Sequence, residues 1–308
     1  MFDPATNVEP TVSTIEQRVQ TQSSREQWRG PRRKGLGRAI LVYTLLTVLA
    51  LVFLFPFFWM LTSALKPEYQ IFQWPPVWIP IPPMWSNFVE AFSNPQLPFA
   101  RFIANTLLLE VLIITGRLIS VTLVAYGFAR LDAPGKGILF TILLATLLLP
   151  GAAVLIPRYI LFNQLGWVNT YLPLWVPAWF GEAYAIFLFR QFFMTIPREL
   201  EDSATIDGAN TFQIIWNLIV PLSIPVFVVI TIFSFKDIWN WLQEPLIYLN
   251  RTEQYTAAVG LAYYNGQNNV QMSLLMAASV ALVLPVIILF FFSQRAFIEG
   301  IQMTGLKG

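Results

Sequence analysis

The 308-residue chain has no cysteine and no histidine. Disulfides, Cys/His metal sites, thiol nucleophiles and imidazole acid–base chemistry are therefore excluded. Charge is scarce too: 12% of residues are Asp, Glu, Lys or Arg, about half the share in a typical soluble domain. Apolar residues fill the difference, at 56% of the chain with a mean hydropathy of +0.59. This is the composition of a membrane protein. The net charge of +2 decides little, because in such a chain the placement of charge matters more than its sum.

About 20 apolar helical residues cross a bilayer. Six runs qualify, at 39–62, 103–129, 138–157, 172–193, 214–235 and 273–293, although Pro221 and Pro225 interrupt the fifth. The polar segments left over, a tail and two loops of roughly 35 residues, are too short to bury cores of their own. The first run does not resemble a cleavable signal peptide. It follows a polar tail of 38 residues and exceeds the apolar core of such peptides, which is about 7–15 residues. The expected fold is all-α and polytopic, with six transmembrane helices over 39–294. The flanking tails, 1–38 and 295–308, are polar, and the first is poor enough in aliphatics to be largely disordered.

Basic residues set the expected orientation. With the N-terminus inside, the tail, 130–137, 190–213 and the C-terminus hold 7, 2, 2 and 2 Lys/Arg, thirteen together. Arg32, Arg33, Lys34 and Arg38 lie directly before the first span. The outside loops hold five: Lys66, Arg101, Arg158, Lys236 and Arg251. The positive-inside rule then places both termini in the cytoplasm.

On that same side, between spans four and five, lies EDSATIDGANTFQIIWNLIVPLSIP (201–225). Pro197 suits a first helical turn, and Glu199, Glu201 and Asp202 favour the positive helix N-terminus. Gly208 suits a left-handed helix stop. Beyond it, Phe212, Ile215, Trp216 and Ile219 recur along one helical face. The pattern predicts a short helix, a sharp turn and a second short helix. A helix resting on lipid headgroups usually carries Lys/Arg on its polar side, and anionic lipid would repel this acidic one. Such a protrusion suits a basic groove on a cytoplasmic partner.

The segment also carries a pattern. The spacing Glu-Ala-Ala-x3-Gly-x9-Ile-x-Leu-Pro, which marks the permease subunits of bacterial ABC importers, falls on Asp202, Ser203, Ala204, Gly208, Leu218, Val220 and Pro221. Ala204, Gly208 and Pro221 keep the consensus. Asp202, Ser203, Leu218 and Val220 replace it with similar residues, and Asp207-Gly208-Ala209 is typical of the sugar-importer branch. Further blocks follow in order: SALKPEYQIF (63–72), AYGFARL (125–131), LGWVNTYLPL (165–174), FLFRQFFMTIPRELEDSA (187–204) and QRAFIEGI (294–301). Beyond its N-terminal tail, the chain resembles the carbohydrate-uptake permeases related to the second permease of maltose-type transporters.

That resemblance implies a cell-membrane subunit that forms half of a translocation pore. Its implied partners are a second homologous permease, two ATPase subunits and an extracellular binding protein that delivers a carbohydrate. It makes 199–218 the coupling segment, with Glu201, Asp202, Ser203, Ala204, Asp207, Gly208, Ala209 and Pro221 as the ATPase-coupling residues. Gln302, Lys307 and Gly308 become a second contact with the ATPases. The chain has no Gly-x4-Gly-Lys-Ser/Thr loop. ATP and magnesium would therefore be used by the partner ATPase. No enzymatic activity, cofactor or metal is expected in this chain, and its surroundings are lipid rather than nucleic acid.

Ionisable groups inside spans call for an account. Glu110 and Arg117 are seven residues apart, so they share a face about 10 Å apart along the axis. They pair within the bundle or line the substrate path. At the end of span five, Trp239, Asn240 and Trp241 combine ring faces with amide and indole donors, as sugar sites do. An aromatic belt at the membrane interface would also account for them. Lys236 and Asp237 form either a helix-end pair or the rim of a polar cavity. The rival reading is a proton- or ion-coupled secondary transporter or channel subunit using these charges as relays. Against it, such transporters commonly hold two internal repeats, and no second copy is present here.

Overall fold

The computed structural model describes residues 36–94, 98–266 and 270–305, with side chains from Gly37 to Ser293. The expected N-terminal tail lies almost wholly outside them. The chain forms two compact units, Met1–Phe57 and Phe58–Gly308. The described part of the first unit belongs to helix α1 (Leu36–Ala64). Its apolar side chains point in every direction, and none of its most apolar stretch is buried. A helix of that kind is solvated by lipid or by another chain.

The second unit is also helical, with no strand among the described residues. Its elements are α2 (Glu68–Ile71), α3 (Ser86–Ser93), α4 (Phe99–Arg130), α5 (Lys136–Thr146), α6 (Gly151–Gln164) and α7 (Leu172–Trp175), which runs into a 3-10 turn at Val176–Phe180. Then follow α8 (Ala183–Phe193), α9 (Arg198–Ile206), α10 (Thr211–Leu222), α11 (Ile224–Trp239), α12 (Gln243–Tyr248), α13 (Ala257–Asn265) and α14 (Met272–Gly305). The backbone of α14 continues through the expected boundary at 294/295.

Four of the six expected spans fall on single apolar segments: Gly37–Ala64, Phe99–Arg130 and Met272–Ser293 as unbroken helices, and Leu172–Phe193 with a break between α7 and α8. The other two differ from a straight reading. The third is α5 and α6 meeting at 99°, and the fifth is α10 and α11 meeting at 77°. Pro150 breaks the third, as the N-cap of α6 immediately before Gly151. In the fifth, Pro221 cannot donate to the carbonyl one turn back, and a π-turn at Ile215–Ile219 precedes it. Ser223 then leaves helical geometry (φ −102°, ψ 9°) and Pro225 opens α11. The apolar run expected to begin at 214 is therefore an arm of one helix followed by another.

Helix α4 is the axis of the unit and contributes to three buried clusters. Phe99 and Phe102 pack with Trp239, Ala257 and Ala277; Leu109 and Ile113 with Phe162, Leu174 and Tyr248; Val121 and Ala125 with Phe189, Phe193 and Ile219. Small residues admit large neighbours. A Cβ on Gly116 would lie 2.1 Å from the Trp179 ring, and one on Gly260 would lie 2.2 Å from Phe102. Close approach at small residues is how helices pack where lipid supplies no hydrophobic drive.

Polar groups are used as ties. Glu68 accepts hydrogen bonds from the Met272 and Ser273 N–H groups at 2.8 and 2.9 Å, capping α14 from 204 residues away. Asn105 donates to the carbonyls of Glu253 and Tyr255. Lys66, taken from sequence as a loop charge, is fully buried with Nζ 4.0 Å from the Trp59 ring centre, and burial lowers its pKa.

The end of α4 holds the following elements in place. Arg130 donates from one guanidinium nitrogen to the carbonyls of Phe193 and Ile196 at 2.8 and 2.6 Å, at the close of α8. Helix ends leave carbonyls short of intrahelical donors, and the Phe193 carbonyl also accepts from the Ile196 N–H at 3.1 Å. Its Nε lies 2.6 Å from Glu201 Oε1, a charge contact with both side chains buried. Tyr126 donates its hydroxyl to the other Glu201 oxygen at 3.0 Å. Arg190 donates to the Phe128 carbonyl beside it.

Two predictions follow from this packing. Gly260→Ala is expected to cost about 1–3 kcal/mol through overpacking, read as a lower unfolding midpoint in detergent. Gly127→Ala, with nothing within 4 Å of the new methyl, should leave that midpoint unchanged or raise it. Glu201→Gln or Arg130→Met leaves a buried charge alone, a loss of about 3–5 kcal/mol. Faster amide exchange over 198–206 would report it, and the double variant should lose less than the sum.

Candidate functional site

The acidic segment folds as an elbow. Pro197 is the N-cap of α9 (φ −58°, ψ 134°), one position outside the expected first turn. Asp207 closes the helix and Gly208 follows at φ +86°, the left-handed stop expected there. Asn210 and Gln213 then form a reciprocal capping box, Gln213 N donating to Asn210 Oδ1 at 3.0 Å and Asn210 N to Gln213 Oε1 at 2.8 Å. The cap fixes where α10 begins and therefore which face turns inward.

That face differs from the expected one. Ile214, Ile215 and Ile219 are buried, whereas Phe212 and Trp216 are 66% and 43% exposed. The apolar stripe is wider than the protein uses, and α10 is rolled so that its aromatic edge points out. Ile206 is 86% exposed next to the turn. Glu199, Asp202 and Asp207 are exposed beside these apolar groups. A concavity of about 400 Å³ lies in the crook, lined by Ala204, Asp207, Gly208, Ala209, Gln213 and neighbouring α10 residues.

The candidate coupling residues thus separate into three groups. Asp202, Ser203, Asp207, Gly208 and Pro221 are exposed; Ala204 and Ala209 are half-buried and pack on the core cluster below. Glu201 points the other way, into the protein, where it holds the elbow to α4. Gln302 lies in the helical backbone of α14, and Lys307 and Gly308 lie outside the described residues.

A second feature lies within the helices. The segment 172–193 is broken between α7 and α8: the 3-10 turn ends at Gly181 with φ +90°, and α8 starts afresh. The freed backbone groups find partners. Ser120 donates to the Ala178 carbonyl and Glu182 accepts from the N–H groups of Tyr184 and Ala185, while the Trp179 indole N–H ties the segment to the Leu112 carbonyl of α4. Irregular backbone at such depth is tolerated where protein buries it or a cavity is lined. A cavity of about 380 Å³ is present here, bounded by α4, α6, the broken segment, α11 and α12.

Two of the five substrate-path candidates, Arg117 and Trp241, line this cavity. Trp239 does not: it is 3% exposed, stacks on Phe235 and donates its indole N–H to the Leu282 carbonyl at 2.9 Å. Asn240 is exposed and donates to the Lys236 carbonyl, closing α11. Glu110 is buried at 3% exposure, with neither oxygen hydrogen-bonded and outside the cavity lining. It does not pair with Arg117, whose guanidinium donates to Ser234 Oγ at 2.7 Å. Sequence reasoning missed Glu182, Arg158, Glu244 and Tyr248 in the wall. An acidic residue after a glycine inside an apolar run was the available signal for Glu182.

Comparison with known proteins places this architecture. The family described as binding-protein-dependent transport system inner membrane component matches residues 31–302. The arabinooligosaccharides transport system permease protein of Bacillus subtilis (strain 168) is 31% identical over 264 residues, 85% of this chain and 93% of that protein. The sn-glycerol-3-phosphate transport system permease protein of Yersinia pestis is 28% identical over 275 residues, 87% of this chain and 97% of that one. Among solved structures, a chain of a bacterial ABC transporter involved in the import of the acidic polysaccharide alginate shares the fold. Its TM-score is 0.78 at 22% identity, over 86% of this chain and 98% of that chain. The match spans the elbow, the cavity and every described helix but the last turn of α14, and the chain belongs to the binding-protein-dependent transport system inner membrane component family, as a multi-pass membrane permease of ABC importers.

Proposed function

We propose that this permease works as one half of the pore of an ATP-driven carbohydrate importer and that its elbow receives the stroke of a cytoplasmic ATPase. The carrying observation is the elbow itself: exposed acidic and apolar groups on a short helix pair that a buried ion pair fastens to the end of α4. A rigid protrusion transmits displacement, where a mobile loop would absorb it. The excess of Lys/Arg in the tail and even-numbered connections supports a cytoplasmic position for both termini and the elbow.

The partners in this reading are a second permease, two ATPase subunits that use ATP and magnesium, and an extracellular binding protein. In support, a second solved relative, at TM-score 0.58, is a bacterial alginate ABC transporter in complex with a pentasaccharide-bound periplasmic protein. The substrates for which the relatives are named, arabinooligosaccharides, sn-glycerol-3-phosphate and alginate, support a carbohydrate or related polyol as cargo. Gln302, Lys307 and Gly308 are proposed as an additional ATPase contact.

The test is uptake by vesicles containing the whole importer. Gly208→Pro forces a φ near −65° onto a residue at +86°; Asp202→Lys with Asp207→Lys reverses the exposed charge. Each is expected to lower uptake about tenfold or more and to weaken ATPase capture, with normal amounts of permease in the membrane. Unchanged uptake and capture would sink the assignment. Uptake that ignores ATP and follows a proton gradient would favour an ion-coupled transporter.

A further inference from the structure

The charges around the membrane cavity are unequally engaged. Three carboxylates line it, and each already has a donor. Glu182 accepts from two backbone N–H groups of α8. Glu244 accepts from the Trp241 indole and faces Arg158 at 4.0 Å. Asp237 lies 3.6 Å from Lys236. By charge the lining holds these three carboxylates against the guanidinium groups of Arg117 and Arg158, but the buried polar atoms left without a partner are donors. Arg117, half-buried, has its Nε buried without an acceptor, and among the described residues no carboxylate lies within salt-bridge distance. Tyr248, 1% exposed, lines the same cavity with a hydroxyl that has no partner.

Buried polar groups are normally satisfied, and an exception asks what satisfies it. Here the orphans are a guanidinium nitrogen and a phenol hydroxyl on one wall, with the half-buried Trp241 ring beside them. Burial raises the Tyr248 pKa, outweighing the opposing effect of Arg158, so the phenol remains a neutral donor at pH 7. Guanidinium groups favour carboxylate and phosphate oxygens, and an indole face suits the C–H face of a sugar ring. The volume, about 380 Å³, fits one or two sugar rings. The negative group nearest along α4 is Glu110, about 10 Å away by helical rise. It weakens the field at Arg117 without occupying its hydrogens.

We infer that the cavity is a transit subsite for an anionic saccharide, with Arg117 holding a carboxylate or phosphate and Tyr248 a sugar oxygen. This rests on the transport reading above and narrows its substrate to sugars that carry a negative charge. Sugars without charge would leave Arg117 Nε unmatched at the cost of desolvation.

The experiment uses the complete importer in nanodiscs, with tryptophan fluorescence following titration by tetragalacturonate, its neutral counterpart galactotetraose, glucuronate and glucose 6-phosphate. Tetragalacturonate should bind about tenfold or more tightly than galactotetraose, with affinity falling as salt rises. Arg117→Gln should abolish the difference, Arg117→Lys should keep part of it, and Glu110→Gln should increase it. Tyr248→Phe should weaken both tetrasaccharides alike. Glucuronate and glucose 6-phosphate show whether carboxylate or phosphate is preferred, and binding of either supports the site. Equal affinity for charged and neutral sugars overturns the inference, as does a preference that survives Arg117→Gln in a monodisperse complex. ATPase capture and ATP-driven uptake, measured on the same samples, separate that failure from failure of the transport reading: intact uptake with no acid preference removes the subsite alone.

Discussion

The contact between Arg130 and Glu201 fixes how the elbow sits against the rest of the unit. Arg130 stands where three chain segments end or begin: the last turn of α4, the carbonyls that close α8, and the first turn of α9. Two helix C-termini bring partial negative charge to one point, and Glu201 adds a full one. A single guanidinium answers all of them, with Tyr126 completing the carboxylate. Desolvating such a group is expensive, so the arrangement gains little net stability over an apolar packing. What it supplies is definition. The elbow has one position relative to α4, because any other leaves a buried charge unmatched.

The same accounting explains where the helices break. A bilayer offers no water to a freed N–H or C=O, so each interruption comes with substitutes. At 176–182 they are the Ser120 hydroxyl and the carboxylate of Glu182. At the elbow they are the capping box and the left-handed glycine. Near Pro221 a π-turn re-spaces the hydrogen bonds ahead of the missing donor. The interruptions are also where the two candidate sites lie, since a cavity opens at the first and an exposed acidic surface forms at the second.

Much of this was legible in the chain itself. Six apolar runs, the helix stop at Gly208 and the acidic composition of 198–207 are local properties, and local properties survive into the fold. The bends were less so: hydropathy registers how long a run is and is blind to its direction, so only Pro150, Pro221 and Pro225 hinted at them. Glu201 reads from sequence as one more surface acid. Its partners are 71 and 75 residues away, and nothing in a nine-residue helix says which of its carboxylates faces in. Trp239 is the converse case. Its composition suits a sugar site, yet the Leu282 carbonyl claims its donor and Phe235 one of its faces. The breadth of the apolar stripe on α10 likewise left its roll undecided until the Asn210–Gln213 cap set it.

The two functional regions share one element. Arg117 and Arg130 lie on α4 thirteen residues apart, about 20 Å along a straight helix. That helix holds no proline in its 32 residues, whereas the segments on either side of the cavity are broken or bent. The contrast assigns mechanical roles. On the proposed reading, force applied at the elbow would enter α4 through Glu201 and be carried as displacement of a stiff rod, because bending it would break internal hydrogen bonds that lipid cannot replace. The broken segment opposite is tied to α4 by two hydrogen bonds, from the Ser120 hydroxyl to the Ala178 carbonyl and from the Trp179 indole N–H to the Leu112 carbonyl. Moving α4 therefore either drags that wall along or shears those contacts, and both change the cavity that Arg117 lines. The elbow and the cavity are connected by shared covalent structure and a short series of named hydrogen bonds, so the proposed coupling would need no diffuse pathway between them.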